Sequence, residues 1–254
     1  MSMIGTLVLI GGNEEKLINN IIYQKIHQKL RDHPVISIIT TATNYPADLY
    51  KEYHYLFESF NPDIIYHIDI QNRRDCYNID ILEKLSKSDF IFLTGGNQFK
   101  FKIFLETHAH KILIDRYNKG ALIAGTSAGA NALGQYMITD GNHDGLLKGS
   151  IQYMEGLNIM NNIIFDTHFE ERNRIERLSQ FMCLDKCKYG IGISENTAIF
   201  IQQKLFTIYG QNSIKILNSK TINSNYNKIH YGERIIIDNL NLSTRKHDQV
   251  FNLF

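Results

Sequence analysis

The chain has 254 residues and is short of several things, each of which rules something out. Three prolines and no Ser/Gly-rich tract leave no place for a linker, so residues 1–254 read as a single domain with no internal repeat. Three cysteines, Cys76, Cys183 and Cys187, are too few and odd in number for a disulfide framework, which fits a reducing, cytoplasmic setting. Charge of either sign is in short supply: 27 Lys plus Arg face 26 Asp plus Glu, and no global field draws the protein to nucleic acid or an anionic membrane. No apolar run approaches the ~18–20 residues of a bilayer span. The stretch TLVLI near the start has no basic segment before it and reads as a first strand, not a signal peptide.

What is present is a 43% hydrophobic composition, enough for a sizeable core without covalent help. Short β-rich runs alternate with segments of helical period through the first half, the pattern of βαβ units on a parallel sheet. The predicted strands are TLVLI from Thr6, VISIIT from Val35, DIIYHIDI from Asp63, DFIFLT from Asp89 and ALIAG from Ala121. The predicted helices are EEKLINNIIYQKIHQKL, PADLYKEYHYLFESF, IDILEKLSKS and NQFKFKIFLETHAHKILIDRYNKG, the last stopped by Gly120. After about residue 190 the texture becomes β-branched runs broken by Gly and Asn (TAIFIQQKLFTIYG, SIKILN, KIHYGERIIID), expected as added antiparallel strands.

Within LIAGTSAGANALG, Gly125, Ser127 and Gly129 form G-x-S-x-G between a predicted strand and ANALGQYMI, which reads as a helix start. A strand turning sharply into a helix forces the middle residue into a strained conformation and needs small neighbours. The Ser127 hydroxyl then projects at the carboxyl edge of the sheet as a candidate nucleophile, and the backbone N–H of Ala128 faces the same place as a candidate oxyanion donor. The competing reading is a glycine-rich turn with an incidental serine.

A nucleophilic serine needs a base, and ten histidines compete for the role. His108 and His110 in THAH read as solvated helix side chains before a metal pair, and His230 as a structural residue of a late strand. His143 in DGNHDG stays a candidate. His168 stands out in NIIFDTHFEERNRIERL, where a short apolar strand delivers Asp166, Thr167 and His168 to a sheet edge. The helix expected next carries Arg172, Arg174 and Arg177. They suit either a carboxylate-bearing substrate or solvated pairs with Glu170, Glu171 and Glu176. An acid to orient the imidazole is offered by Glu195 in GIGISENTAI, and by spacing Asp144 and Asp166 serve equally well. Cys183 and Cys187, one helical turn apart, are expected as thiols and not as a metal pair.

LVLIGGNEEK, TTAT followed by Pro46, FLTGGNQ, GTSAGAN, DTHFEERNRIERL and GIGISENTAI, in this order, resemble the cyanophycinases of peptidase family S51, which also holds aspartyl dipeptidase (peptidase E). The resemblance spans most of the chain. It implies an α/β fold with a class I glutamine-amidotransferase-like, mostly parallel sheet flanked by helices, and C-terminal antiparallel strands added. It also implies Ser127 as nucleophile, His168 as base and Glu195 as acid, with oxyanion donors at Gly96 and Asn97 beside Ala128. Gln98, Asp166, Thr167, Arg172, Arg174 and Arg177 fall on its substrate-binding positions. The Gly11–Gly12 turn lacks the G-x-G-x-x-G spacing of a dinucleotide site, and neither metal nor cofactor is expected. Two positions depart from the family pattern: Thr167, commonly glutamine, and Ser194, usually aspartate.

The leading expectation is therefore a cytoplasmic, homodimeric serine peptidase that hydrolyses cyanophycin or a related aspartyl peptide through an acyl-enzyme. The alternatives are an α-aspartyl dipeptidase or pathway-specific processing peptidase of the same family, and a non-catalytic protein that binds anionic ligands in the same pocket.

Overall fold

A computed structural model of the chain describes residues 4–141 and 146–253; His143 and Asp144 lie outside them. Strands β1 (Thr6–Ile10), β2 (Val35–Ile39), β3 (Ile64–Ile68), β4 (Phe90–Leu93) and β5 (Leu122–Thr126) run parallel in the order β1-β5-β4-β2-β3. Helices α1 (Ile21–His27), α2 (Pro46–Glu58), α3 (Ile79–Lys87) and α4 (His108–Asn118) make the crossovers. The five-residue α5 (Ala128–Ala132) leads into β6 (Tyr136–Gly141), β7 (Ile151–Glu155) and β8 (Ile163–Thr167), and α6 (Ile175–Met182) precedes β9 (Tyr189–Ile193). The remaining strands are β10 (Thr197–Gln202), β11 (Leu205–Gly210), β12 (Ser213–Asn218), the short pair β13 (Asn223–Ser224) and β14 (Ile237–Asn239), β15 (Leu242–Lys246) and β16 (Val250–Asn252).

β10, β11 and β16 extend the parallel set antiparallel beyond β1, giving an eight-stranded, mostly parallel sheet with late antiparallel additions, the class expected. The second sheet, in the order β15-β12-β9-β8-β6-β7, is not separable in the sequence pattern, because its parallel strands β8 and β9 look like further members of the first.

β1 is buried on both faces, and its alternating side chains divide two cores. Val8 and Ile10 join Ile36, Ile38 and Phe92 against Ile22, Tyr23, Tyr53 and Phe57 of α1 and α2. Leu7 and Leu9 join Ile91, Leu93 and Ile123 on the other face, where Leu113 of α4 and Phe165 and Ile191 of the second sheet close the layer. α6 covers the far face of that sheet through Leu178, Phe181 and Met182 on Ile138 and Ile164.

Several expected boundaries move, each for a local reason. The helix expected from Glu14 begins only at Ile21, because the Asn20 side chain caps it by accepting from the Ile22 N–H at 2.9 Å, while Glu14 is drawn into the interior by Tyr23. The long helix expected before β5 is broken: Gln98–Phe104 is 3-10, Glu106 has φ +62°, and Thr107 caps a fresh start at His108. Its expected glycine stop is present, with Gly120 at φ +98°. α5 stops after one turn, at Ala132, because the carbonyls of Ala132, Leu133 and Gly134 bond to the N–H groups of Leu157, Met160 and Asn158 and not to the next turn.

Arg172 is not on a helix. His168 and Asn173 have positive φ, and α6 begins at Ile175 with Arg174 at its N-cap. Cys183 caps the far end of α6, so Cys183 and Cys187 do not share a helix face, and burial pushes the Cys187 thiol up to about 12. His110 is not a solvated side chain: its Nδ1 accepts from the Glu106 N–H, which leaves Nε2 to donate to the Leu157 carbonyl at 2.7 Å. His230 lies in an exposed turn and not in a strand.

The crossing of β5 into α5 has no spare volume. A Cβ on Gly125 would stand 2.5 Å from the Gly129 carbonyl carbon, and one on Gly129 would stand 2.2 Å from the Leu93 oxygen. Overpacking of this kind costs about 1–3 kcal/mol. Gly125→Ala is therefore expected to lower the melting temperature by roughly 5–10 °C in calorimetry; an unchanged Tm would show that the elbow can relax.

Candidate active site

Ser127 is the first residue past β5 and stands at φ +51°, ψ −114°. This is a strained conformation for a residue with a side chain, and it turns the hydroxyl away from the strand direction. The Ser127 N–H donates to the Ile10 carbonyl at 3.0 Å, tying the turn to the end of β1.

His168 follows β8, also at positive φ (+49°), with its N–H on the Gly11 carbonyl at 2.9 Å. Its Nε2 lies 2.8 Å from Ser127 Oγ and its Nδ1 lies 2.6 Å from Glu195 Oε1. Glu195 comes two residues after β9, and its other oxygen accepts from Asn13 Nδ2 at 2.7 Å. The three side chains thus form one hydrogen-bonded line, acid to imidazole to hydroxyl, assembled from β5, β8 and β9. A neutral imidazole at this spacing, with Nδ1–H held by the carboxylate, presents Nε2 as the acceptor for the serine proton. Asp166, an equal alternative by spacing, does not reach His168.

Burial lowers the His168 pKa below the ordinary imidazole value, aided by the charges of Arg172 and Arg174 and opposed by the bond and charge of Glu195. Burial works against ionised Glu195, but hydrogen bonds from His168 and Asn13, with the charges of His168 and Arg172, hold its carboxyl below the usual range. Both shifts favour the resting state that a serine nucleophile needs: neutral base, ionised acid.

A cavity of about 180 Å³ opens beside Ser127, lined by Gly96, Asn97, Gln98, Asn131, Ile138, Thr139, Thr167 and Arg172, Arg174 and Arg177. It is smaller than pockets for drug-sized ligands, which start at roughly 300 Å³. The amides of Gly96 and Ala128 make no hydrogen bond within the described chain and flank the serine. The Asn97 amide does not match its expected oxyanion role: it donates to the Ala42 carbonyl at 2.8 Å, and the Asn97 side chain caps Phe99.

Asp166 also departs from expectation. Only 1% of its side chain is exposed, and both its oxygens are taken by guanidinium groups: Arg177 Nε at 2.7 Å, Arg177 Nη2, and Arg174 Nη1 at 3.2 Å. It therefore lies beneath the cavity, holding two arginines in place, and does not face a ligand. Burial brings Arg174 down to about 10, against the pull of Asp166. Arg172 is exposed at the rim and has no ion-pair partner among the described residues. Gln98 lines the cavity with its amide already engaged, and Thr167 is fully buried there with its hydroxyl unpartnered. Ser194 donates to Glu170 at 3.1 Å and so leaves Glu195 to Asn13.

Three contributors have no individual signal in the sequence. Gly12, at φ +96°, lets the backbone pass so close to the His168 ring that a Cβ would stand 2.4 Å from it. Asn13 holds the acid. Glu14, 5% exposed, accepts from Tyr23 and Tyr53 at 2.9 Å each and from Thr126, the residue before Ser127, at 2.7 Å. Burial and the Glu14 charge push both phenols well above their ordinary pKa, so they remain donors. The G-G-N-E run was the only available clue to all three.

The family model for Peptidase family S51 matches residues 7–209, and the chain belongs to that family; it is a peptidase. Among curated proteins it is similar to the cyanophycinase of Trichormus variabilis, 29% identical with 98% of this chain and 85% of that one covered. It is also similar to the cyanophycinase of Synechococcus elongatus, 27% identical with 98% and 79% covered. Among solved structures, a peptidase from an acI-B1 Actinobacterium superposes with TM-score 0.77 over 99% of this chain and 98% of that one at 18% identity. A putative Peptidase E protein from Listeria monocytogenes gives 0.58 over 82% and 99% at 19%. At these identities the structural likeness shows the fold.

With His168 as the base, its lowered pKa would set the acid limb of activity, since the base must be unprotonated in the free enzyme. The expected profile of kcat/KM rises with pH through a midpoint below the ~6.5 of free imidazole and is flat by neutrality. A midpoint above 7 would contradict the electrostatics described.

Proposed function

We propose that the protein is a serine-type peptidase that hydrolyses cyanophycin, an arginine-decorated polyaspartate, or a related aspartyl peptide. The observation that carries this reading is the Ser127–His168–Glu195 line beside a small cavity whose charged lining is three arginines. In the reading, Ser127 Oγ attacks the scissile carbonyl as its proton passes to His168 Nε2, and Glu195 stabilises the imidazolium. The oxyanion is met by the Gly96 and Ala128 amides. The imidazolium returns the proton to the leaving amine as the C–N bond breaks, and water, deprotonated by His168, then hydrolyses the acyl-enzyme. Guanidinium groups at the cavity wall suit a carboxylate: the β-carboxylate of an aspartyl peptide or, in cyanophycin, where arginine amidates that group, the α-carboxylate of the arginine. The reading includes a cytoplasmic homodimer. The three free cysteines support a reducing compartment.

A second reading, an enzyme for short aspartyl peptides and not the polymer, is favoured by the size of the cavity and by Thr167, whose short side chain contributes an unpartnered hydroxyl to it.

Incubation with insoluble cyanophycin, following release of soluble β-aspartyl-arginine, tests both. Ser127→Ala is expected to reduce release by at least about four orders of magnitude. Undiminished release by the variant would overturn the serine mechanism; cleavage of aspartyl peptides without polymer release would select the second reading.

A further inference from the structure

Asn131, on α5, lies four residues beyond Ser127, and its main-chain N–H donates to the Ser127 carbonyl at 3.0 Å. It is 2% exposed and lines the same cavity. Its orientation is fixed by a relay of amides. Gln98 Nε2 donates to the main-chain carbonyl of Ile138, which can only accept. Gln98 Oε1 is thereby turned to accept from Asn131 Nδ2 at 2.6 Å. Asn131 Oδ1 is left as the far end of the relay, a buried acceptor with no partner among the described residues.

A buried acceptor without a donor is costly, and here it stands in a wall otherwise rich in donors. An arginine-lined cavity alone would ask its ligand only for acceptors. The unpartnered Oδ1 asks the ligand for an N–H or O–H in the cavity that Ser127 also lines.

On the reading of the site given above, we propose that Asn131 Oδ1 accepts the main-chain N–H of the acidic residue whose carbonyl Ser127 attacks, and that this N–H is a neutral peptide amide. The nitrogen of that residue is the donor its covalent structure places nearest the scissile carbonyl. It is neutral because three arginines, Arg172, Arg174 and Arg177, line the same small space, whereas the carboxylates described beside them are two: Asp166, paired with Arg174 and Arg177, and Glu195, which feels Arg172 but is bound to His168 and Asn13. A free α-ammonium would enter a net positive field, whereas an acylated nitrogen brings the hydrogen bond without the charge. The substrate class is then an aspartyl residue inside a chain or blocked at its nitrogen, not the free N-terminus of an aspartyl dipeptide. Gln98 acts as a positioning residue for Asn131.

Three matched p-nitroanilides separate the possibilities: N-acetylaspartyl, with a neutral N–H; aspartyl, with an ammonium; and succinyl, with the carboxylate but no nitrogen. The wild-type enzyme is expected to show kcat/KM for the N-acetylaspartyl substrate at least about tenfold above both others. In Asn131→Ala the ratio of N-acetylaspartyl to succinyl is expected to fall to within about twofold of one. Labelling of Ser127 by a serine-directed phosphonate reports whether each variant is folded, and Asn131→Ser carries the comparison if the alanine variant does not label.

Equal rates on N-acetylaspartyl and succinyl substrates, a ratio unmoved by substitution at Asn131, or a preference for the free aspartyl substrate would overturn the inference while leaving the aspartyl-peptidase reading standing. A wild-type enzyme that labels at Ser127 yet cleaves none of the three would remove the aspartyl reading and the inference together.

Discussion

Five consecutive residues at the end of β1, Ile10 to Glu14, hold the whole hydrogen-bonded line together. The Ile10 carbonyl takes the Ser127 N–H, the Gly11 carbonyl takes the His168 N–H, and the Gly12 carbonyl takes the Asn196 N–H beside Glu195. Asn13 bonds the Glu195 carboxylate directly, and Glu14 bonds Thr126, the residue before Ser127. Ser127 and His168 both stand at positive φ, a strain of about 1–3 kcal/mol each that persists only where the surroundings over-determine it. The β1 turn supplies that determination. It also explains why the turn carries two glycines: one passes against Ser194 and the other against the imidazole, where any side chain would collide.

The cavity side is built by the opposite means. There the backbone is left unpaired at Gly96 and Ala128, and buried polar atoms are left open at Asn131, Thr167 and Arg174 Nε. Asp166 spends both oxygens fixing Arg174 and Arg177, which removes the rotamer freedom that two long side chains would otherwise lose on binding. Arg172, exposed and unpaired among the described residues, remains at the rim. The resulting cavity is rigid, cationic and small, which suits recognition of one carboxylate-bearing residue next to a nucleophile.

Much of this is legible in the sequence where local pattern and tertiary role agree. β1, β2, β4 and β5 are near-continuous apolar runs because both faces are buried, and G-x-S-x-G marks the elbow because only glycine fits at Gly125 and Gly129. Legibility fails where tertiary contacts override local preference. Glu14 looks like the opening of an amphipathic helix, but three hydroxyl donors draw it inside. Arg172 looks helical, but the turns at His168 and Asn173 take it off α6. The second sheet is hidden because strand sequences buried on both faces carry no label for the sheet they join. Asp166 matches a ligand-contacting pattern by position, and only its burial reveals that it serves the arginines.

The central claim is that Ser127 is a nucleophile activated through His168. Incubation with a serine-directed phosphonate, followed by peptide mass spectrometry, tests it without assuming any substrate. The account predicts a single adduct on Ser127 that forms rapidly in the wild-type protein and slows by orders of magnitude in His168→Asn. Absence of an adduct on Ser127 in the folded wild-type protein, or labelling indifferent to the loss of His168, would contradict it.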